Sequence, residues 1–272
     1  MVLLGRPFGE QLKSWRSARG LSQLDLGLHA RVSARHISFL ETGRAQPSRE
    51  MVVRLARALD LPLRERNTLL EQAGFAPLYG ERPLDDAALG SALDALGFLL
   101  RAHDPNPAIV LDRYWTVLRW NRSHERLVAA LVAGESAPQG NALDWVFEPG
   151  PVRERIVNWS EVAGAVLTRL RRQVQRAATD ERLRQVWDRV LAAPGVAELA
   201  ARNPLADPQI LVPLRLRIGG EEYAWVNTLA VFGAAGEATL EDLVVETFFP
   251  ADEPTRRFMK QLSGDGEIPP PA

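Results

Sequence analysis

Apolar residues recur at helical spacing through the first seventy-odd positions. Phe8, Leu12 and Trp15 form one stripe, and Val52, Leu55, Ala56 and Leu59 form another. The pattern predicts five short helices ending near Gly74. Their starts carry local signals: Ser22 precedes Asp25 by three residues, Ser33 follows Val32, Pro47-Ser48 opens the fourth helix, and Pro62 sits where a first turn tolerates it. Phe75 to Leu84, with Pro77, Gly80 and Pro83, reads as a linker. A helix over 85–102 follows and is stopped by Asp104-Pro105-Asn106-Pro107. The period then changes to that of strands. Residues 108–120 predict two strands around a turn at Asp112 and Arg113, and Asn121 can cap a helix from Ser123 to Ala133. Helical stretches return over 151–177 and 180–201. Three strands are predicted at 209–218, 221–232 across the Gly219-Gly220 turn, and 241–249. The Pro-rich tail from Ser263 reads as disordered.

These elements describe an all-α N-terminal domain of five short helices followed by an α+β domain with a five-stranded antiparallel sheet and helices on one face. The boundaries expected are 1–76 for the helical domain, 77–104 for a linker and connecting helix, 105–262 for the α+β domain and 263–272 for the tail. A chain of 272 residues with 46% hydrophobic content can bury two such cores. The absence of cysteine excludes disulfide frameworks, thiolate zinc sites and cysteine nucleophiles. No apolar run approaches the roughly 20 residues of a membrane span and the N-terminus lacks a signal-peptide pattern, so a cytoplasmic protein without membrane association is expected.

Net charge is -1, but it is unevenly spread. Residues 1–80 hold 12 Lys and Arg against 7 Asp and Glu, so the N-terminal domain alone attracts phosphate. Within it, residues 21–44 read as two helices joined by a tight turn, the layout of a helix-turn-helix whose second helix lies in the major groove of double-stranded DNA. Val32, Ile37 and Leu40 supply that helix's inner face. Ser33, Ala34, Arg35, Ser38 and Phe39 are left to meet base edges. The Arg35 fork suits guanine O6 and N7, and Ala34 or Phe39 suits a thymine methyl. Gln23 and Arg44 are placed to hold phosphates.

The string Leu21-Ser22-Gln23, Val32-Ser33, Ile37, and Glu41-Thr42-Gly43-Arg44 through Pro47 resembles the lambda-repressor-like, or xenobiotic-response-element-type, helix-turn-helix family over about 70 residues. The resemblance implies an ion pair between Glu41 and Arg16 on the first helix. It also marks two departures, Gly27 where the family has Ala and Arg31 where it has Gly in the turn, and both are expected to cost stability. A left-handed Arg31 would be strained by roughly 1 to 2 kcal/mol.

The strand-turn-strand-Asn run over 108–121, Asn158-Trp159 leading a helix to Leu170-Arg171, and the closing Val244 to Pro250-Ala251-Asp252 resemble the C-terminal half of MmyB-like transcription regulators, a PAS-like ligand-binding domain. Where that family has a His-Pro and Gly element before its meander, this chain has Asn203-Pro204 and Asp207-Pro208. The resemblance therefore implies fold and general role rather than a ligand site.

Every tryptophan except Trp15 lies at or beyond position 115. Tyr114, Trp120, Trp145, Trp159, Trp225 and Phe248 are candidates to line an apolar cavity, and they serve equally as core. Asn121, Arg122 and Arg172 are candidates for the polar end of a ligand, although the arginines over 169–176 also read as a solvated helix face. A bound fatty acid or similar lipid is the effector such an interior would suit. No cofactor is required by any motif, no metal set is evident, and His103 and His124 read as surface or cap residues rather than haem ligands. No catalytic constellation stands out, so an enzyme is not expected.

Two readings follow. One is a DNA-binding regulator, homodimeric to match two-fold operators, that senses an apolar small molecule. The other is a repressor or antitoxin whose larger domain is a dimerisation or protein-interaction module without ligand.

Overall fold

The computed structural model describes residues 7–132, 134–135, 140–177, 180–202, 212–232 and 236–264. Five helices come first: α1 (Phe8–Ala18), α2 (Gln23–Ala30), α3 (Ala34–Glu41), α4 (Arg49–Ala58) and α5 (Leu63–Gln72). After a 3-10 turn at Ala87–Leu89 come α6 (Gly90–Ala102), β1 (Ala108–Leu111), β2 (Val117–Trp120), α7 (Arg122–Val132), α8 (Ala142–Phe147), α9 (Pro151–Glu154), α10 (Trp159–Arg176), α11 (Glu181–Ala192) and α12 (Val196–Arg202). The chain continues through β3 (Leu214–Ile218), β4 (Glu221–Val231), α13 (Ala238–Glu241), β5 (Val244–Pro250) and α14 (Glu253–Ser263). The five helices and the five strands follow the expected fold class. The strand expected over 209–218 is described from Leu214, and 209–211 lie outside the described residues, as do 265–272 of the tail. Asn203-Pro204 and Asp207-Pro208 lie outside them too. At Ser263 the expected tail is corrected: this residue closes α14, a helix capped by Asp252, which accepts from the Thr255 N–H at 2.8 Å.

The chain divides into two units. The first comprises residues 1–84 with 172–181 and 233–241. Leu12, Trp15, Leu26, Ile37, Leu40, Val52, Leu55 and Leu69 form its core, all fully buried. Each helix start is tied locally. The Ser22 hydroxyl accepts from Asp25 N–H while the Asp25 carboxylate accepts from Ser22 N–H, at 3.1 and 2.8 Å, and the Ser33 and Ser48 hydroxyls accept from the His36 and Met51 N–H groups, both at 3.2 Å.

α5 differs. Its N-cap residue Pro62 supplies no side-chain acceptor, and the Leu63 N–H instead donates to the Glu241 carboxylate at 2.6 Å, a favourable place for negative charge. Residues 75–84 are likewise held. Asn67 accepts from the N–H groups of Leu78 and Tyr79, both at 3.0 Å, and Glu237 accepts from the Arg82 N–H at 3.0 Å and from its guanidinium at 2.8 Å. A Cβ at Gly80 would fall 2.1 Å from that Glu237 carboxylate, which would have to shift from its bonds to Arg82 to make room. Arg19 donates to the carbonyls of Leu59, Gln175 and Arg176, each at 3.1 Å, the last two in the final turn of α10.

The turn between α2 and α3 accounts for both family departures. Arg31 is left-handed at φ 55, ψ 49, as the strained alternative required. Gly27 does not carry the expected cost, because a Cβ there would lie 2.5 Å from the Val32 carbonyl oxygen. The turn that Arg31 makes brings the backbone over α2 at a glycine.

The second unit comprises 85–171, 182–232 and 242–272. Its antiparallel sheet has the order β2-β1-β5-β4-β3, so the last strand in sequence lies at the centre. The β3–β4 hairpin turns through Gly219 and Gly220, both at positive φ. Trp225, Leu216 and Ile218 from the sheet pack with Leu127 and Leu131 of α7, Ile156, and Met259 of α14. Asn121 starts α7 as expected, accepting from the His124 N–H at 3.0 Å.

Candidate nucleic-acid interface and effector interior

α3 is held from one side and open to solvent on the other. Ile37 and Leu40 are fully buried, while Ser33 caps the helix through the His36 N–H at 3.2 Å. At its far end the Glu41 carboxylate accepts from Arg16 Nε at 2.6 Å, from Arg16 Nη2 at 3.1 Å and from the Gln23 amide at 2.9 Å. The pair implied by the family resemblance is present. It raises the Arg16 guanidinium above its ordinary value, chiefly through the Glu41 hydrogen bond. One carboxylate thereby joins α1, α2 and α3.

On the outer side, Ser33, Arg35 and Arg44 are exposed and Ala34, Ser38 and Phe39 half-buried. The Arg35 guanidinium lies 5.3 Å from the Phe39 ring and joins no ion pair among the described residues. Gln23 commits one amide hydrogen to Glu41.

In the second unit Trp145, Trp159 and Phe248 are half-buried against one cluster that contains the fully buried Trp225. The Trp159 indole donates to the Val146 carbonyl at 2.7 Å. The Trp225 Nε1–H, by contrast, is buried and finds no acceptor among the described residues. An unmet buried donor costs roughly 1 to 3 kcal/mol.

The other candidates lie elsewhere. Trp120 is 50% exposed at the end of the edge strand β2, and Arg122 is exposed on α7. Tyr114 sits in the turn after β1, its ring 4.0 Å from the Arg182 guanidinium. Arg172 is exposed and belongs to the first unit. Asn121 is buried and fully used. Its oxygen accepts from Ala108 and His124, and its nitrogen donates to the carbonyls of Leu100 and Asn106.

Three residues stand differently from the sequence reading. Arg169 belongs to no solvated face: its guanidinium rests 4.2 Å from the Trp115 ring and 3.7 Å from Glu246, and burial lowers its pKa. Glu246, which sequence reasoning missed, is buried on β5 in register with Ile109 and Leu229 and accepts from Asn227. The available signal was a lone acid inside the strand run Val244-Val245-Glu246-Thr247-Phe248-Phe249. His124 is no surface group. It is buried, stacks on Trp145 with centroids 5.2 Å apart, and burial lowers its pKa to about 4.

A short capped helix anchored on one face and cationic on the other, set in a five-helix unit of a chain that also carries a larger α+β unit, defines a helix-turn-helix DNA-binding regulator. Residues 7–69 match the family model of a helix-turn-helix domain, and residues 93–262 match that of the MmyB-like transcription regulator ligand binding domain. The latter match spans more than half of the chain, which belongs to the MmyB-like regulators. No curated protein matches the chain. The protein is a ligand-sensing transcription regulator, pairing a DNA-binding domain with a domain that takes a small-molecule effector. No helix among the described residues is long and apolar enough to cross a membrane.

Proposed function

We propose that the protein is a homodimeric, one-component regulator whose effector is an elongated apolar molecule with a polar end, of fatty-acid type, held by a PAS-like second unit. In this reading α3 enters the major groove. Arg35 reads guanine, Ser33, Ala34, Ser38 and Phe39 complete the base contacts, and Arg44 and the second amide hydrogen of Gln23 contact the backbone. Two copies place their α3 helices about 34 Å apart, or a multiple of it, on a two-fold operator. The effector lies among Trp145, Trp159, Trp225 and Phe248, and it acts by binding one arrangement of the dimer better than another.

The observation that carries the ligand half is the buried Trp225 Nε1–H, which lies in the cluster lined by Trp145, Trp159 and Phe248 and has no acceptor among the described residues. A carboxylate or ester oxygen of the effector satisfies it. Native mass spectrometry of protein purified from cells tests this directly. A retained mass of lipid size that is lost in Trp225→Phe supports the reading. A bare chain mass under conditions that keep the dimer intact supports an interaction module instead.

A further inference from the structure

A groove of about 680 Å3 runs along the outer face of α4 in the first unit. Its floor is apolar, made by Val53 and Ala58 of α4 together with Leu78, which stands 48% exposed. Its rim is cationic. Arg54 and Arg57 are neighbours at i,i+3 on α4, Arg49 stands in its first turn, and His29 of α2 also lines the groove. All three arginines are exposed, and none joins an ion pair among the described residues, although Glu50 shares their rim. Charge is thus left uncompensated around an apolar trough.

A phosphate backbone answers only half of this surface. It meets the guanidinium groups but gains nothing from Val53, Ala58 and Leu78, which remain a cost unless apolar side chains cover them. The elements differ as well: α3 packs on α1 and α2, whereas α4 packs on α2 and α5, so the groove belongs to another helix than the one that reads DNA. A helix with an apolar stripe at i, i+4 and i+7 flanked by carboxylates satisfies both halves. Its apolar residues fill the floor, and its acids meet the arginine forks as charge-assisted hydrogen bonds. We propose that this groove docks an acidic amphipathic helix of a second protein, a partner-binding surface separate from the face of α3.

The test is fluorescence anisotropy with the full chain at about 0.15 M salt, where the Debye length of about 8 Å confines charge effects to their neighbourhood. The probes are a labelled synthetic helix with leucines on one face and glutamates beside them, the same composition scrambled so that the leucines share no face, and a random-sequence DNA duplex. The scrambled peptide is expected to bind about tenfold more weakly than the helix. The double variant Arg54→Gln, Arg57→Gln is expected to weaken the helix about tenfold and the duplex less than about twofold. Leu78→Ser is expected to weaken the helix alone. Equal binding of the helix and its scrambled form overturns the proposal, as does the absence of saturable helix binding. Parallel loss of helix and duplex affinity in the double variant also overturns it, making the groove a phosphate surface.

Discussion

Buried charge is handled differently in the two units. In the first, Arg16, Gln23 and Glu41 meet at 2.6 to 3.1 Å, and three donors converge on one carboxylate that pins three helices. In the second, the Arg169 guanidinium stands 3.7 Å from Glu246 and leans on the Trp115 ring, desolvated enough for burial to lower its pKa. Unmet neutral donors occur in both units, since the buried Trp15 and Trp225 indole N–H groups find no acceptor among the described residues. A reading helix must present side chains in one geometry, and closed networks secure that.

The sharpest way to break this contrast is to open the closed network. Glu41→Ala strips Arg16 and Gln23 of their shared acceptor, and the first unit should lose about 3 kcal/mol, the low end for a broken buried pair because Arg16 keeps some solvent contact. Urea unfolding followed by far-UV circular dichroism measures it. A loss below about 1 kcal/mol would mean the network is incidental.

The second unit should show acid sensitivity of similar size. The His124 pKa in the folded state is about 4 against 6.5, so the neutral ring is the form that folding favours. Its contribution is complete above about pH 6.5 and is lost as pH falls toward 4, by about 3 kcal/mol at most. His124→Phe keeps the stack on Trp145 and removes the titration. The wild-type minus variant difference in unfolding free energy, followed by tryptophan fluorescence, should therefore fall through that window. A flat difference would show that the ring is solvated.

A smaller effect is expected at α5. Glu241→Ala removes the acceptor of the Leu63 N–H and should cost the first unit roughly 0.5 to 2 kcal/mol, with Glu241→Gln recovering part of it. An unchanged midpoint would show that water replaces the cap without loss.

What the sequence made legible follows the same divide. The starts of α2, α3 and α4 were readable because Ser22, Ser33 and Ser48 act on backbone groups three residues away. The cap of α5 was not, because its acceptor lies 178 positions downstream. Strand positions in the second unit followed from period and from the Gly219-Gly220 turn. The central place of β5 and the buried setting of Glu246 depend on pairings across more than a hundred residues that no local pattern records. Arg169 was misplaced for a related reason: a run of arginines looks solvated until a ring from another element, Trp115, covers one of them. Gly27 was misjudged because its value depends on where the Val32 carbonyl lands after the turn.

The proposed recognition of DNA by α3 turns on Arg35. The direct measurement is selection from random duplexes with the wild-type chain, followed by the affinities of wild type and Arg35→Ala for the recovered site and for a random duplex. The expected result is a recovered site that the variant binds about 1 to 3 kcal/mol more weakly, with little change on the random duplex. Recovery of no preferred sequence, or equal binding of the recovered site by both proteins, would contradict it.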